Sequence, residues 1–440
     1  MINIYNYFKH RFIYLFVFIL FSPVLYAQVT LKDAYKAVVQ VVSYDAEGNV
    51  VNMGNGFCVS SNGCFVAPYF IFTKVKSAFI IDYKVNKYQV DRILGANSNY
   101  DLVKFTVSDC KDFPWMNLPD SLEVSMGSSV HCIKYSTKKK NFSVSAVLSK
   151  LEDYHSYKYF TLNLNNAENL VGCPVLNDKG YAFAIVQKNF VGDSTTCAID
   201  SRFVGDMFIS VKSSIDADLL KIEIPKALPN HETDALTYMY MLSTKDSLQL
   251  MSAYNDFIKL YPKNPEIYVF RAGYYAARGN YKECSNDFTI AEGLSENDSL
   301  YSKDKVLYAF SKLMFNTIAQ NRGDSICDWS YSRAYHLAEK AYQINSNVHY
   351  LLQQAHCLFY MKSFDLAYQK YFQVCQEVKN QESKDWSDKA QIENWFYAAR
   401  SLELSGGDPK EVLSLYFIIS SLIGKMLCAS APEIILKLLI

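Results

Sequence analysis

The chain reads as a two-domain protein, an all-β N-terminal domain followed by an all-α helical solenoid. Three observations predict this. Its 440 residues exceed what one hydrophobic core ordinarily serves. From Val29 to about Ser210, short β-rich runs follow one another with turn residues between them. From Thr233 onward the apolar period becomes 3.6 and the segments lengthen.

The N-terminus has the pattern of a secretory signal over residues 1–27. Lys9, His10 and Arg11 precede the apolar run FIYLFVFILF, Ser22 and Pro23 break it, and VLYA-Q offers cleavage after Ala27. The run is short for a membrane span, which takes ~20 apolar residues. No stable membrane span is therefore expected after signal removal; an uncleaved anchor is the competing reading. No cysteine follows the run, which argues against a lipid-modified anchor. The mature chain is expected to be exported, to the periplasm or beyond the cell.

Lys+Arg and Asp+Glu both number 44, so the net charge is zero and nothing favours a nucleic-acid partner. The 11 cysteines are an odd count and cannot all pair within one chain. Cys284, Cys357 and Cys375 fall at apolar positions of periodic segments, as free core cysteines do. There is no CxxC pair and no Cys/His cluster at zinc spacing, and the seven histidines are scattered. Neither a metal nor a cofactor is expected.

Residues 28–211 carry the strands. VVQVVSY (38–44) and FCVSSNGCFVA (57–67) are β-rich, and Asn62-Gly63 between two apolar runs is a strong hairpin signal. AFIIDYKV, QVDRILGA, LVKFTV, SVHCIKY, FSVSAVLSKL, YFTLNLN, YAFAIVQ and TTCAID follow at short spacing, as in a sandwich or barrel. Helical periodicity shows only in LKDAYKAVV and RFVGDMFISV. Residues 212–232 read as a linker, because Pro225 and Pro229 forbid a continuous helix.

Residues 233–424 carry helix pairs. Ala272, Tyr275, Gly279, Tyr281, Cys284, Phe288 and Ala291 sit where a helix-turn-helix repeat of about 34 residues alternates small and bulky side chains. Ala355, Leu358, Phe364, Ala367, Tyr371 and Val374 repeat the offsets. Ala334, Ala338 and Ala341 fit one further unit, and Ala253, Phe257, Leu260 and Pro265 another. About five pairs are expected, with 425–440 as a C-terminal capping helix. This pattern resembles tetratricopeptide (TPR) repeats. The resemblance implies a groove that binds a protein or peptide, with Tyr268, Tyr274, Tyr275 and Tyr281 as groove candidates.

Four blocks in the N-terminal domain occur in a telling order: VNMGNGFCVSSNGCFVAPYFI (51–71), NYDLVKFTV (99–107), ENLVGCPVLNDKGYAFAIV (168–186) and CAIDSRFVGDM (197–207). Together they resemble the trypsin-like serine peptidases, in particular the HtrA-type branch. The resemblance implies a double β-barrel. The chemistry requires a serine, a histidine to take its proton and an aspartate to orient that histidine. Matched block by block, Phe70 stands at the histidine position, Asp101 at the aspartate position and Val171 at the serine position. Asn169 and Cys173 replace two glycines of the same motif. Cys173 is the fallback nucleophile, but Pro174 follows it directly. His131, in a strand, and His155, in a polar turn, stand outside the context that presents the family's base. The expected function is a non-catalytic pseudo-peptidase acting as a scaffold or adaptor. The alternatives are a peptidase with a displaced nucleophile and a purely architectural envelope component.

Overall fold

The computed structural model describes residues 30–438 apart from 111, 139, 166–167, 189–194, 244–246, 299, 322–327 and 381–386. The expected signal segment lies outside them. The chain divides into two compact units between Ala253 and Tyr254.

Six strands close a first antiparallel barrel: β1 (Val38–Tyr44), β2 (Val50–Cys58), β3 (Cys64–Ala67), β4 (Ser77–Ile81), β5 (Lys87–Asn97) and β6 (Leu102–Val107), in the order β1-β2-β3-β6-β5-β4. Six more close a second: β7 (Ser129–Ile133), β8 (Ser143–Tyr154), β9 (Tyr157–Asn165), β10 (Pro174–Leu176), β11 (Ala182–Val186) and β12 (Thr195–Asp200), in the order β10-β11-β12-β9-β8-β7. Closure leaves neither sheet a free edge. The double β-barrel expected from the sequence is thus present. The Asn62-Gly63 hairpin also forms: β2 pairs with β3, and Gly63 takes the left-handed conformation at φ +76°.

Each barrel is filled by residues of alternate strand positions. In the second, Val130, Cys132, Phe160, Cys173 and Phe183 share one buried cluster. A further cluster runs from barrel to barrel. It takes Val38, Phe57, Val66 and Leu102 from the first and Ile133, Leu176, Ile185 and Ile199 from the second. This seam fixes the cleft between them.

Two expected helical stretches form only 3₁₀ turns. Leu31–Lys36 stops where Val38 and Val39 enter β1, since stacked β-branched residues favour the strand. Ser201–Asp206 is held by Asp200, whose carboxylate accepts from the Arg202 backbone N–H and its guanidinium. Residues 212–232 are docked rather than slack. The Pro225 carbonyl accepts from Ile93 N–H at 2.9 Å, Ala227 N–H donates to the Ile93 carbonyl at 2.8 Å, and Ile222 and Ile224 are buried. The segment therefore runs beside β5 and donates no hydrogen bond through either proline.

The remainder is an all-α solenoid. Its helices among the described residues are α1 (Glu232–Ser243), α2 (Ser247–Leu260), α3 (Pro265–Ala276), α4 (Tyr281–Leu294), α5 (Lys303–Gln320), α6 (Tyr331–Ile344), α7 (Val348–Tyr360), α8 (Phe364–Asn380), α9 (Asp388–Leu404) and α10 (Pro409–Leu438). Starts are marked by side-chain caps: Asn264 with Pro265 behind it for α3, Ser330 for α6, Asn347 for α7 and Ser387 for α9. The expected small positions, Ala272, Ala291, Ala334, Ala338, Ala341, Ala355 and Ala367, are fully buried, which is what lets the helices approach. Helix α10 continues unbroken past 424–425, where the sequence reading starts a separate capping helix. A single exposed glycine there, Gly424, costs only about 1 kcal/mol and does not end a helix. Among the described residues no helix is long and apolar enough to cross a membrane.

Phe57 lies at 0% exposure in the inter-barrel seam. Phe57→Ala should lower the stability of the β-domain by about 3–5 kcal/mol, read from urea unfolding of the full chain.

Candidate functional site

The cleft between the barrels is the first place to look for chemistry. Phe70 sits on the 3₁₀ turn Tyr69–Phe72, which follows Pro68 at the end of β3. Asp101 sits in the turn before β6, in the left-handed region at φ +47°. The two are brought together. Phe70 N–H donates to Asp101 Oδ1 at 3.2 Å, and Tyr69 N–H donates to the Asp101 carbonyl at 3.1 Å. The carboxylate thus serves the backbone of a turn 31 residues away in sequence. Burial pushes the Asp101 carboxyl up to about 6, against the pull of the two backbone bonds and of Lys188. Lys188 Nζ stands 5.5 Å from the centre of the Phe70 ring.

Val171 lies on the other side of β2. It ends the turn that begins with the 3₁₀ segment Glu168–Leu170 and is 8% exposed. Asn55 of β2, not singled out by sequence reasoning, ties this turn down. Its Nδ2 donates to the Asn169 carbonyl at 3.1 Å and to the Val171 carbonyl at 3.0 Å, while its Oδ1 accepts from Tyr135 N–H at 3.4 Å. Its neighbour Gly54 faces the Phe70 side: a Cβ there would lie 2.7 Å from Ile71 Cδ1 and 3.9 Å from Phe70 Cζ. Phe70 and Val171 therefore both approach β2 at Gly54–Asn55, while Asp101 meets the turn that carries Phe70. A polar side chain in a glycine-flanked strand is the signal that could have found Asn55.

Gly172 makes the close approach possible. At φ +81°, a Cβ on it would fall 2.2 Å from the Asn55 carbonyl oxygen and 2.7 Å from Pro68 Cδ. Asn169 and Cys173, which stand for glycines in the resemblance, are not at positive φ and need no glycine here.

Cys173 lies in the second barrel's core at 0% exposure. Burial raises its thiol well above the ordinary value, and neighbouring Cys132 adds to this. A thiol so placed has neither access nor thiolate character. His131 points away from that core. Its Nδ1 is 3.4 Å from Ser145 Oγ and its Nε2 3.8 Å from Asp178 Oδ1, on the outer face of the barrel. His155 tips the β8–β9 hairpin, exposed, with its ring edge-on to Tyr154. Neither histidine meets Asp101. Among the described residues no group of His, Cys, Asp and Glu could hold a metal ion.

A second concavity lies in the solenoid. It encloses about 370 Å³ along the first helices of three successive pairs, α5, α7 and α9. Phe315, Tyr360 and Tyr397 form aromatic walls, with Lys312, Asn316 and Gln353 polar beside them. His356 lies at its base. Burial lowers its imidazole to about 4, so the ring is neutral at pH 7 and Nδ1 accepts the Tyr371 O–H at 2.6 Å. The groove tyrosines expected from the sequence lie elsewhere. Tyr268 is buried and donates to the Pro262 carbonyl, and Tyr274 is covered by the Arg278 guanidinium at 3.4 Å.

No family model matches the chain, and no curated protein matches it.

The Asp101 shift has a definite sign. A carboxyl raised from 3.8 to about 6 stabilises the fold below pH 4, and that contribution is lost as pH rises through 6. The effect is at most about 3 kcal/mol. Asp101→Asn keeps the acceptor for Phe70 N–H and removes the titration. Urea midpoints between pH 4 and 7 should therefore vary less in the variant, which should exceed the parent at pH 7; an unchanged pH slope would contradict the assignment.

Proposed function

We propose that this is an exported, non-catalytic protein in which a trypsin-like peptidase domain has lost its histidine and serine. On this reading, its TPR-like array is the working part, an adaptor that binds a protein or peptide. One observation carries the loss of catalysis: the carboxylate that should orient an imidazole is instead hydrogen-bonded to the backbone of Phe70. Acyl transfer by this route needs a proton acceptor and a nucleophile next to that acid. Phenylalanine and valine supply neither. The one fallback nucleophile, Cys173, is enclosed in apolar core.

The adaptor role rests on the aromatic groove across α5, α7 and α9. Aromatic walls with a few polar groups suit an extended or helical peptide segment, because large rigid side chains give contact area at low entropic cost. Tyr360, 45% exposed, leaves part of its ring open to such a ligand.

Two measurements test this reading. Purified mature chain incubated with an unstructured protein and with serine- and thiol-directed probes should show neither cleavage nor labelling. Labelling at Cys173, lost together with cleavage in Cys173→Ala, would establish a displaced peptidase instead. For the groove, Tyr360→Ala and Lys312→Glu should each weaken binding of an isolated peptide ligand at least tenfold by calorimetry, with the melting temperature unchanged. Self-association in sedimentation experiments, with no peptide bound, would favour an architectural role.

A further inference from the structure

A larger cavity, about 610 Å³, lies at the end of the solenoid between α8, α9 and α10. It is separate from the aromatic groove and is built from different faces of the helices. Its floor is the apolar cluster around Trp395, Cys375 and Leu415, extended by Phe372. Its sides carry neutral polar groups such as Gln376 and Ser414. Volume and lining fall within the range of specific ligand sites, which combine apolar walls with a few placed polar groups.

One of those groups is unsatisfied. Asn394, on α9, lines the cavity and is only 5% exposed, yet its Nδ2 has no hydrogen-bond partner among the described residues. A buried amide donor left unpaired is costly and uncommon in folded proteins. The adjoining Trp395, Ala398 and Ala399 are buried apolar residues. A donor held in an apolar cavity has a use when the occupant brings the acceptor.

The charges around the cavity decide what kind of acceptor. Glu411 and Lys425 are its charged lining residues, one of each sign. Glu411 is already engaged by the Tyr368 hydroxyl at 2.6 Å. No excess of positive charge is offered to a carboxylate or phosphate, so a neutral acceptor is favoured. The aromatic floor favours a bulky apolar group beside it. We propose that the cavity between α8, α9 and α10 binds a neutral peptide segment, its apolar side chain seated against Phe372, Trp395 and Leu415 and a main-chain carbonyl accepting from Asn394 Nδ2.

The experiment titrates the full mature chain with end-blocked di- and tripeptides of leucine and phenylalanine, following Trp fluorescence and heat. Saturable binding is expected, with a fluorescence change that disappears in Trp395→Phe. Asn394→Leu, which removes the donor and keeps the volume, should weaken binding at least tenfold while raising the melting temperature of the free protein. Ser414→Trp, placed on the exposed side of α10, should block the cavity and abolish binding with the fold retained by circular dichroism. Absence of binding, unchanged affinity in Asn394→Leu, or a preference for the same peptides with free carboxylates would each overturn the proposal. Because Tyr360 and Lys312 lie outside this cavity, Tyr360→Ala and Lys312→Glu should leave this affinity unaltered; failure of the groove reading and failure of this one are thus separable.

Discussion

The cleft depends on one close contact: the turn of Val171 and Gly172 lies against β2 with almost no space between backbones. Gly172 stands where any side-chain carbon would overlap the Asn55 carbonyl and the Pro68 ring. The Asn55 amide then spans two carbonyls of the same turn. A left-handed glycine and a bridging amide do together what neither does alone, since the turn must bend sharply and its carbonyls are tied to β2 by one side chain. The seam of Phe57, Leu102, Leu176 and Ile185 beneath holds both barrels in the position this contact requires.

The same cleft keeps an acid that is expensive to ionise. Asp101 has one backbone donor on its carboxylate and an exposed lysine near the adjoining ring, while burial works against its charge. The 212–232 segment braces this region from outside: Tyr69 donates its hydroxyl proton to the Asp218 carbonyl at 2.9 Å, and Ser98 N–H donates to the Asp218 carboxylate at 2.7 Å. Both turns that frame Asp101 are thus pinned by one short stretch. Asp101 acts here as a strut: without its carboxylate the half-buried Phe70 N–H would lose its acceptor.

Much of this was readable beforehand where the determinant is local. Asn62-Gly63 demands a left-handed residue between two apolar runs, and the hairpin formed there. The alanines of the helix pairs are spaced by the helical period itself, and they are the buried contact points. Whether Phe70 meets Asp101 was left open by the sequence, and the fold supplies the contact. What escaped reading depends on partners distant in the chain. β10 is three residues long, Pro174–Leu176, and is a strand only because β7 and β11 flank it. The docking of 212–232 runs through the carbonyl of Pro225, whereas its prolines advertise only what they cannot donate. The solenoid's aromatic groove collects Phe315, Tyr360 and Tyr397 from three helices. Tyr268 and Tyr274, conspicuous as neighbours in sequence, are spent on local contacts.

The solenoid also shows why polar residues inside repeats differ in meaning. Asp304 is buried but accepts from Ser302, Tyr350 and Asn345, and these bonds hold its carboxyl below the usual range despite desolvation. Asp287 is buried and meets the Arg271 guanidinium through two bonds, at 2.7 and 2.8 Å. Each is a closed set in which the carboxylate has its donors, and each joins neighbouring helices. Asn394 is equally buried and forms no such set at its amide nitrogen. Satisfied groups of this kind explain themselves by the helices they join; the Asn394 donor, among the described residues, joins none.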